Sequence, residues 1–497
     1  MKAHLPHRFI MELRKYDLLS ILAWTSQMSV NIFNQKSPEM PAVTMKNIFY
    51  NGKERTILIM AWSLIDVAYL ALMNCNLNGG KHITTLEEFT MLMGQYNGYH
   101  NDCEGNMSII KDSTPNNDFM LYLYGFFGEQ CNFENATETR QLLDSYKRNR
   151  YLLELLETAP DTEKVDVSGI IQKEIGVSSE DYHSIMLALI TMCKDDPRVF
   201  VNKLKPDGIQ DGIRKVLDYY SLSVKEFKKS DNRRQQLYVT PFLRIGCDTY
   251  ICLNYYLLLF CFQDAAYWVV RNYYRKMGSN DFTNAYGRVF EMYFEELLKK
   301  YLPRGAYTRI CESKKKKRAD WKIDFNGFTM IVEQKSAIAG INAKQQFSNV
   351  EDTKKHIIQN WIKAIKQLHD TEKDFGLDCP IKVILTYEDY YRGNILEHVF
   401  KMEENTVEND HYYWLVTIDE MECLLFSFYN NREFFNGIIK EKIAFETSLS
   451  GEGSDFSMLF AKNGIVENQH ICEKVFERYV DDAINYYNGG LEHGTIC

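Results

Sequence analysis

Between Asn284 and Leu302 the residues Phe290, Phe294, Leu297, Leu298 and Tyr301 recur at three- and four-residue spacing, which predicts a helix with one apolar stripe. Further on, the period changes from helical to alternating. Trp321, Ile323 and Phe325, then Phe328, Met330 and Val332, alternate with other residues on either side of Asn326-Gly327. An Asn-Gly pair tolerates the positive φ angles of a two-residue turn, so Arg318 to Lys335 reads as a β-hairpin. Counting back from the turn, Phe325 faces Phe328, Asp324 faces Thr329 and Asp320 faces Glu333. A slip of one residue would carry the charges into the core, so the apolar face fixes that register. Ile357, Ile358, Trp361, Ala364, Ile365 and Leu368 mark a second amphipathic helix starting near Thr353, and Ile381 to Tyr387 is an apolar run of buried-strand type. With Tyr307 to Cys311 as a first strand, the order is helix, three strands, helix, strand.

The same periodicities divide the rest of the chain. Residues 1 to about 235 read as mainly helical, with amphipathic stretches at Ser63 to Cys75, Thr139 to Thr158 and Ser179 to Cys193. Leu237 to Ile245 and Thr249 to Leu253 suggest two strands around Gly246, followed by a long aromatic-rich helix from Tyr255 to Lys276. Tyr413 to Ile418 offers a further strand, and Met421 to Phe428 and Ile471 to Tyr487 two further helices. The expected domains are therefore a helical domain over 1–235, bounded by the polar stretch Lys229 to Arg234, an α/β core over 236–400 that is best defined over 284–387, and an extension over 401–497.

A chain of 497 residues with 45% apolar and 25% charged residues has ample material for two or three cores. Its 12 cysteines contain no Cys-x-x-Cys pair, which argues for reduced thiols rather than a zinc site or disulfide framework. Glu12, Arg14, Lys15 and Asp17 interrupt any apolar leader, and the apolar run Tyr255 to Phe262 is too short to span a membrane. A cytoplasmic protein with no membrane partner is expected. No internal repeat or phosphate-binding Gly-x-x-x-x-Gly-Lys appears in residues 1–235. The net charge of -9 conceals an uneven distribution: -3 over residues 1–236, +7 over 237–387 and -13 over 388–497. The densest basic run, Lys314, Lys315, Lys316, Lys317 and Arg318, leads into Asp320, where it could grip a phosphate backbone without reading bases.

Strand alternation puts Asp320, Glu333 and Lys335 on one face, with Lys335 roughly 6 to 7 Å beyond Glu333. Facing carboxylates repel unless a cation lies between them, and hard oxygen ligands suit Mg²⁺ or Mn²⁺. A lysine beside them can orient or deprotonate an attacking water and offset charge on a phosphoryl group. That combination outlines a metal-dependent phosphodiesterase. The same residues also fit a plain surface hairpin in which Lys335 neutralises Glu333 and nothing binds. Asp324 lies roughly 13 Å from Asp320 along the strand, too far to share one ion with Glu333, and reads as a solvated turn-flanking residue. Glu291 falls at the edge of the first helix's stripe, where it can reach into the site. Glu295 lies further round, spaced for a pair with Lys299, and Gln359 of the second helix reads as solvent-facing.

From about Gly287 to Tyr387 the chain resembles the PD-(D/E)XK, or restriction endonuclease-like, nuclease superfamily. The resemblance rests on Gly287-Arg-Val-Phe-Glu291, Ala319-Asp320 and Glu333-Gln334-Lys335, and Ala319 stands in place of the proline that names the family. It implies an α/β (α+β) core, a central mixed sheet flanked by helices. It implies Asp320 and Glu333 as metal ligands together with the carbonyl of Gln334, Lys335 as the catalytic lysine, Glu291 as an auxiliary acid, and Mg²⁺ or Mn²⁺ as cofactor. The expected activity is hydrolysis of phosphodiester bonds, with DNA favoured over RNA, in restriction or antiphage defence. The alternatives are a catalytically inactive nuclease-fold nucleic-acid-binding or assembly protein, or a nuclease of DNA repair or mobile elements. The helical half is open as a surface for a protein partner or a second copy.

Overall fold

The structure is a computed structural model, and it describes residues 8–463 apart from 36–40, 51–52, 78, 161–163, 205–206, 231–232, 312–316, 326, 339–349, 389–394, 447–455 and, save for Glu129, Asn132, Phe133 and Ala136, 106–138. Helix α1 (Leu18–Asn34) starts at Asp17, whose carboxylate accepts a hydrogen bond from the Ser20 N–H at 3.0 Å and so caps the first turn. Strands β1 (Ala42–Tyr50) and β2 (Lys53–Met60) then pair antiparallel and run into α2 (Ala61–Asn74). This hairpin interrupts the expected helical half. Helices α3 (Thr139–Thr158) and α4 (Ser179–Asp195) follow the predicted stretches.

A small sheet comes next, of β3 (Arg198–Phe200), β4 (Ser221–Leu222), β5 (Phe242–Arg244) and β6 (Thr249–Cys252), in the order β3-β6-β5-β4. It draws strands from both sides of residue 235. Arg234, in the polar stretch that suggested a boundary, is buried in ion pairs with Asp66 at 2.7 Å and Glu129 at 3.0 Å. Leu237 to Val239 end a helix (Arg233–Val239) rather than begin a strand, because Arg, Gln and Leu favour helix until the chain approaches Pro241. Helix α5 (Tyr255–Lys276) matches its predicted bounds, and the Asn254 side chain caps it by accepting from the Tyr256 N–H at 2.9 Å.

The second sheet carries the candidate chemistry. Helix α6 (Asp281–Tyr301) leads to β7 (Tyr307–Arg309), β8 (Trp321–Phe325) and β9 (Phe328–Lys335), an antiparallel meander. Helix α7 (Val350–Ile357), a π-helical turn (Ile358–Ile362) and α8 (Lys363–Phe375) cross over to β10 (Ile381–Thr386), which pairs parallel to β9. Strand β11 (Tyr413–Thr417) adds parallel to β10 and runs into α9 (Ile418–Asn430). The hairpin has the register expected of it: Phe325 pairs with Phe328, Asp324 with Thr329 and Trp321 with Val332, and Gly327 turns with φ at 147°. Residues 401–463 thus complete the sheet and its cover; Ile471 to Tyr487 lie outside the described residues.

Both faces of this sheet are covered. Trp321, Ile323, Phe325, Met330 and Val332 share a core with Phe290, Phe294 and Leu297 of α6 and with Leu424 and Phe428 of α9. On the opposite face Ile331, Ile384 and Leu415 pack with Ile357, Trp361, Ala364, Ile365 and Leu368 of the crossover. A parallel β9–β10 pair requires such a crossover, and here it lies over the charged face of the hairpin. That face is therefore closed over by helix, and Glu333 is only 3% exposed. The first core continues through α5 into the amino-terminal half as far as Phe9. Among the described residues no helix is long and apolar enough to cross a membrane.

Candidate active site

Asp320 immediately precedes β8, its N–H donating to the Val332 carbonyl at 2.9 Å and its own carbonyl accepting from the Ile310 N–H at 2.8 Å. Because Val332 is also the partner of Trp321, the ladder is irregular at this point, and Asp320 lies close enough to Glu333 for its charge to push that carboxyl up. Its Oδ2 accepts from the Gln334 N–H at 2.7 Å, which holds the carboxylate against the backbone of β9. Two residues along, Lys335 Nζ donates to Glu333 Oε1 at 2.5 Å and to Gln367 Oε1 at 3.3 Å. Gln367 in turn donates from Nε2 to the Arg318 carbonyl at 3.2 Å. One turn later Thr371 Oγ1 accepts from the Ala319 N–H at 2.8 Å and donates to the Gln367 carbonyl at 2.7 Å. A single turn of α8 thus fastens the start of β8 to the end of β9. The N–H that reaches Thr371 is one that a proline at position 319 would lack, so alanine supports this joint.

The two oxygens of Glu333 differ. Oε1 is bonded to Lys335, whereas Oε2 is buried with no hydrogen-bond partner among the described residues. Burial pushes this carboxyl up to about 8, and the charges of Asp320 and Glu291 push the same way against the pull of Lys335. A buried oxygen left unpartnered beside a second carboxylate is a costly arrangement that a cation would relieve. The donors are hard oxygens, which suits Mg²⁺ or Mn²⁺. Among the described residues no three His, Cys, Asp or Glu side chains converge to hold a metal by themselves. An ion here would have to complete its shell with water and substrate oxygens, as Mg²⁺ does when one or two carboxylates hold it.

No protein-family model, curated protein or solved structure matches the chain.

The remaining candidates fall at different distances from this centre. Glu291 on α6 is ion-paired with Arg309 of β7 and lies close enough to Glu333 to raise its pKa. Gln334 turns its side chain to the other face, where Oε1 accepts from Trp321 Nε1 at 2.7 Å and Nε2 donates to the Phe290 carbonyl at 3.3 Å. Glu295 pairs with Lys299 at 2.7 Å along the helix. Asp324 is exposed beside the turn and is held by Lys322 and Thr329, each at 2.9 Å. Arg318 is drawn back to α8 by Asp374 at 3.1 Å, while Lys317 is exposed. Lys314, Lys315 and Lys316 lie outside the described residues.

Gln367 is the residue that sequence reading missed. Gln359 is exposed, and the glutamine that reaches Lys335 is eight positions later. A faint signal existed: position 367 lies three residues after Ala364 and four before Thr371, at the edge of the buried stripe where a polar side chain can bend into a site.

Proposed function

We propose that the chain is a metal-dependent nuclease that hydrolyses phosphodiester bonds, in DNA before RNA. The observation that carries this reading is Glu333, buried on β9 with one oxygen on Lys335, the other unpartnered among the described residues, and the charge of Asp320 close by. Its support from the fold is the antiparallel β7-β8-β9 meander joined through a helical crossover to parallel β10, which a restriction endonuclease-like core would require. Asp320 and Glu333, with the Gln334 carbonyl and Glu291 in support, would hold Mg²⁺ or Mn²⁺, which supplies Lewis acidity and a bound water of lowered pKa.

The chain's own groups do the rest. The Lys335 ammonium, steadied by Glu333 and Gln367, offsets the charge that grows on the phosphoryl oxygens and orients the attacking water. Water oxygen bonds to phosphorus as the in-line bond to the 3′ oxygen breaks. A proton from that water ends on the leaving oxygen, giving a 3′-hydroxyl and a 5′-phosphate. Restriction or antiphage defence is the setting proposed by analogy with the resemblance.

Circular single- and double-stranded DNA and RNA, incubated with the protein with and without Mg²⁺ or Mn²⁺, test this. Metal-dependent cutting of DNA by the wild type and none by Glu333→Gln is expected. Cutting by neither protein under any of these conditions would leave the non-enzymatic nucleic-acid-binding reading in its place.

A further inference from the structure

Helix α8 supplies Gln367 to the site, and the side of the crossover that faces away from the sheet is basic. Lys355, Lys363, Lys366 and Lys373 are all exposed, while Ile357, Trp361, Ala364, Ile365 and Leu368 fix the opposite side against the sheet. None of the four lysines forms an ion pair among the described residues. Lys354, by contrast, turns to Glu404 at 2.9 Å. Two carboxylates of the same helices are engaged elsewhere and a third is half-buried. Glu372 pairs with Lys382 at 3.1 Å, Asp374 pairs with Arg318 at 3.1 Å, and half-buried Asp370 lies close enough to push the Tyr413 phenol up. Glu351 and Asp352 sit in the first turn of α7, where the helix dipole favours them.

We propose that this face is a phosphate-backbone track, in which Lys355, Lys363, Lys366 and Lys373 hold a nucleic-acid strand and lead it to Lys335. The proposal rests on the nuclease reading and assigns the substrate contact that reading lacks. Lys363 lies one helical turn before Gln367 and Lys366 lies next to it, so the track passes the residue that touches Lys335. From Lys355 to Lys373 a helical rise of 1.5 Å per residue spans roughly 27 Å, about eight phosphates of one duplex strand. The far end continues to exposed Lys317, because Asp374 of α8 holds the neighbouring Arg318. Lysines are flexible point charges rather than planar forks, so the track would hold phosphates without reading bases.

The test is binding of the full chain to a short DNA duplex, the same single strand and the matching RNA duplex, by fluorescence anisotropy in a chelator. The wild type is compared with the fourfold variant Lys355→Gln, Lys363→Gln, Lys366→Gln and Lys373→Gln, and with the fourfold control Lys225→Gln, Lys228→Gln, Lys229→Gln and Lys276→Gln, which changes the net charge equally elsewhere. The track variant is expected to bind roughly tenfold or more weakly between about 50 and 200 mM salt, with a salt slope smaller by about 3 to 4, while the control is unchanged. The arm that shows the loss names the nucleic acid. An unchanged slope, an equal loss in the control, or no binding by the wild type would overturn the track. Cleavage by the wild type against Glu333→Gln is read separately, so failure of the track leaves the nuclease reading standing and the reverse is also visible.

Discussion

Glu333 and Glu422 are both buried carboxylates, and they are satisfied to different degrees. Glu422 on α9 accepts from Arg148 Nε and Nη2 at 2.7 Å each and from the Tyr293 hydroxyl, and Arg148 also reaches Asp419. Burial pushes Glu422 up to about 7, and Arg148 and Tyr293 pull it back. Glu333 is pushed further, to about 8, with one lysine pulling down, two neighbouring carboxylates pushing up and one oxygen unpartnered. The first is an internal fastening that ties α3 of the amino-terminal half to α6 and α9 beside the sheet. The second leaves one carboxyl oxygen without a hydrogen-bond partner among the described residues, which a bound cation would supply.

The comparison breaks most directly at Glu333. Glu333→Gln is expected to lower the cleavage rate by roughly 10³-fold or more while leaving the thermal midpoint of the metal-free protein unchanged or higher, since an amide removes a buried charge. A folded Glu333→Gln protein with the wild-type rate would end the assignment. Arg148→Met should do the opposite. It leaves Glu422 buried beside Asp419 without its main partner, at a cost of about 3 to 5 kcal/mol in denaturant unfolding, while cleavage per folded molecule changes only a few-fold. A rate that collapses without loss of stability would mean that Arg148 belongs to the chemistry.

The pH dependence sharpens the same contrast. Glu333, raised in the fold from 4.5 to about 8, holds a proton that the unfolded chain has already released. Its contribution to the stability of the metal-free protein is full below about 4.5 and is lost as pH rises toward 8. Metal binding needs the anion, so affinity should rise roughly tenfold per unit from about pH 6 to about 8 and then level off. In Glu333→Gln the slope should vanish. The smallest effect is expected at Asp324→Asn, within about 0.5 kcal/mol in stability and with metal affinity retained, because that carboxylate is exposed and, among the described residues, is bonded by the side chains of Lys322 and Thr329 alone. Loss of metal binding in Asp324→Asn would require a different ligand set.

What could be read from the sequence was what local pattern determines. Alternation and Asn326-Gly327 gave the hairpin register from the turn back to Trp321 and Val332, though not the irregularity at Asp320, and the aromatic run behind Asn254 gave α5 its bounds. Non-local partners were out of reach. Arg148 and Glu422 are 274 residues apart, and nothing near either one names the other. Gln367 joins Lys335 only because the crossover lies over the charged face, a consequence of the parallel β9–β10 pair. Strands of two or three residues such as β4 and β3 are too short to show a period, so of the small sheet that crosses residue 235 the expected strands caught β5 and β6 and missed the two before residue 235.

Titration calorimetry of Mg²⁺ and Mn²⁺ into the wild type, Glu333→Gln and Asp324→Asn, run near neutral pH in buffers of different ionisation enthalpy, tests the central claim most directly. The wild type and Asp324→Asn should bind the metal and release close to one proton, the one held by Glu333, and Glu333→Gln should show neither binding nor proton release. Binding by Glu333→Gln equal to the wild type, or no binding by the wild type, would contradict the claim that the unpartnered oxygen of Glu333 awaits a cation.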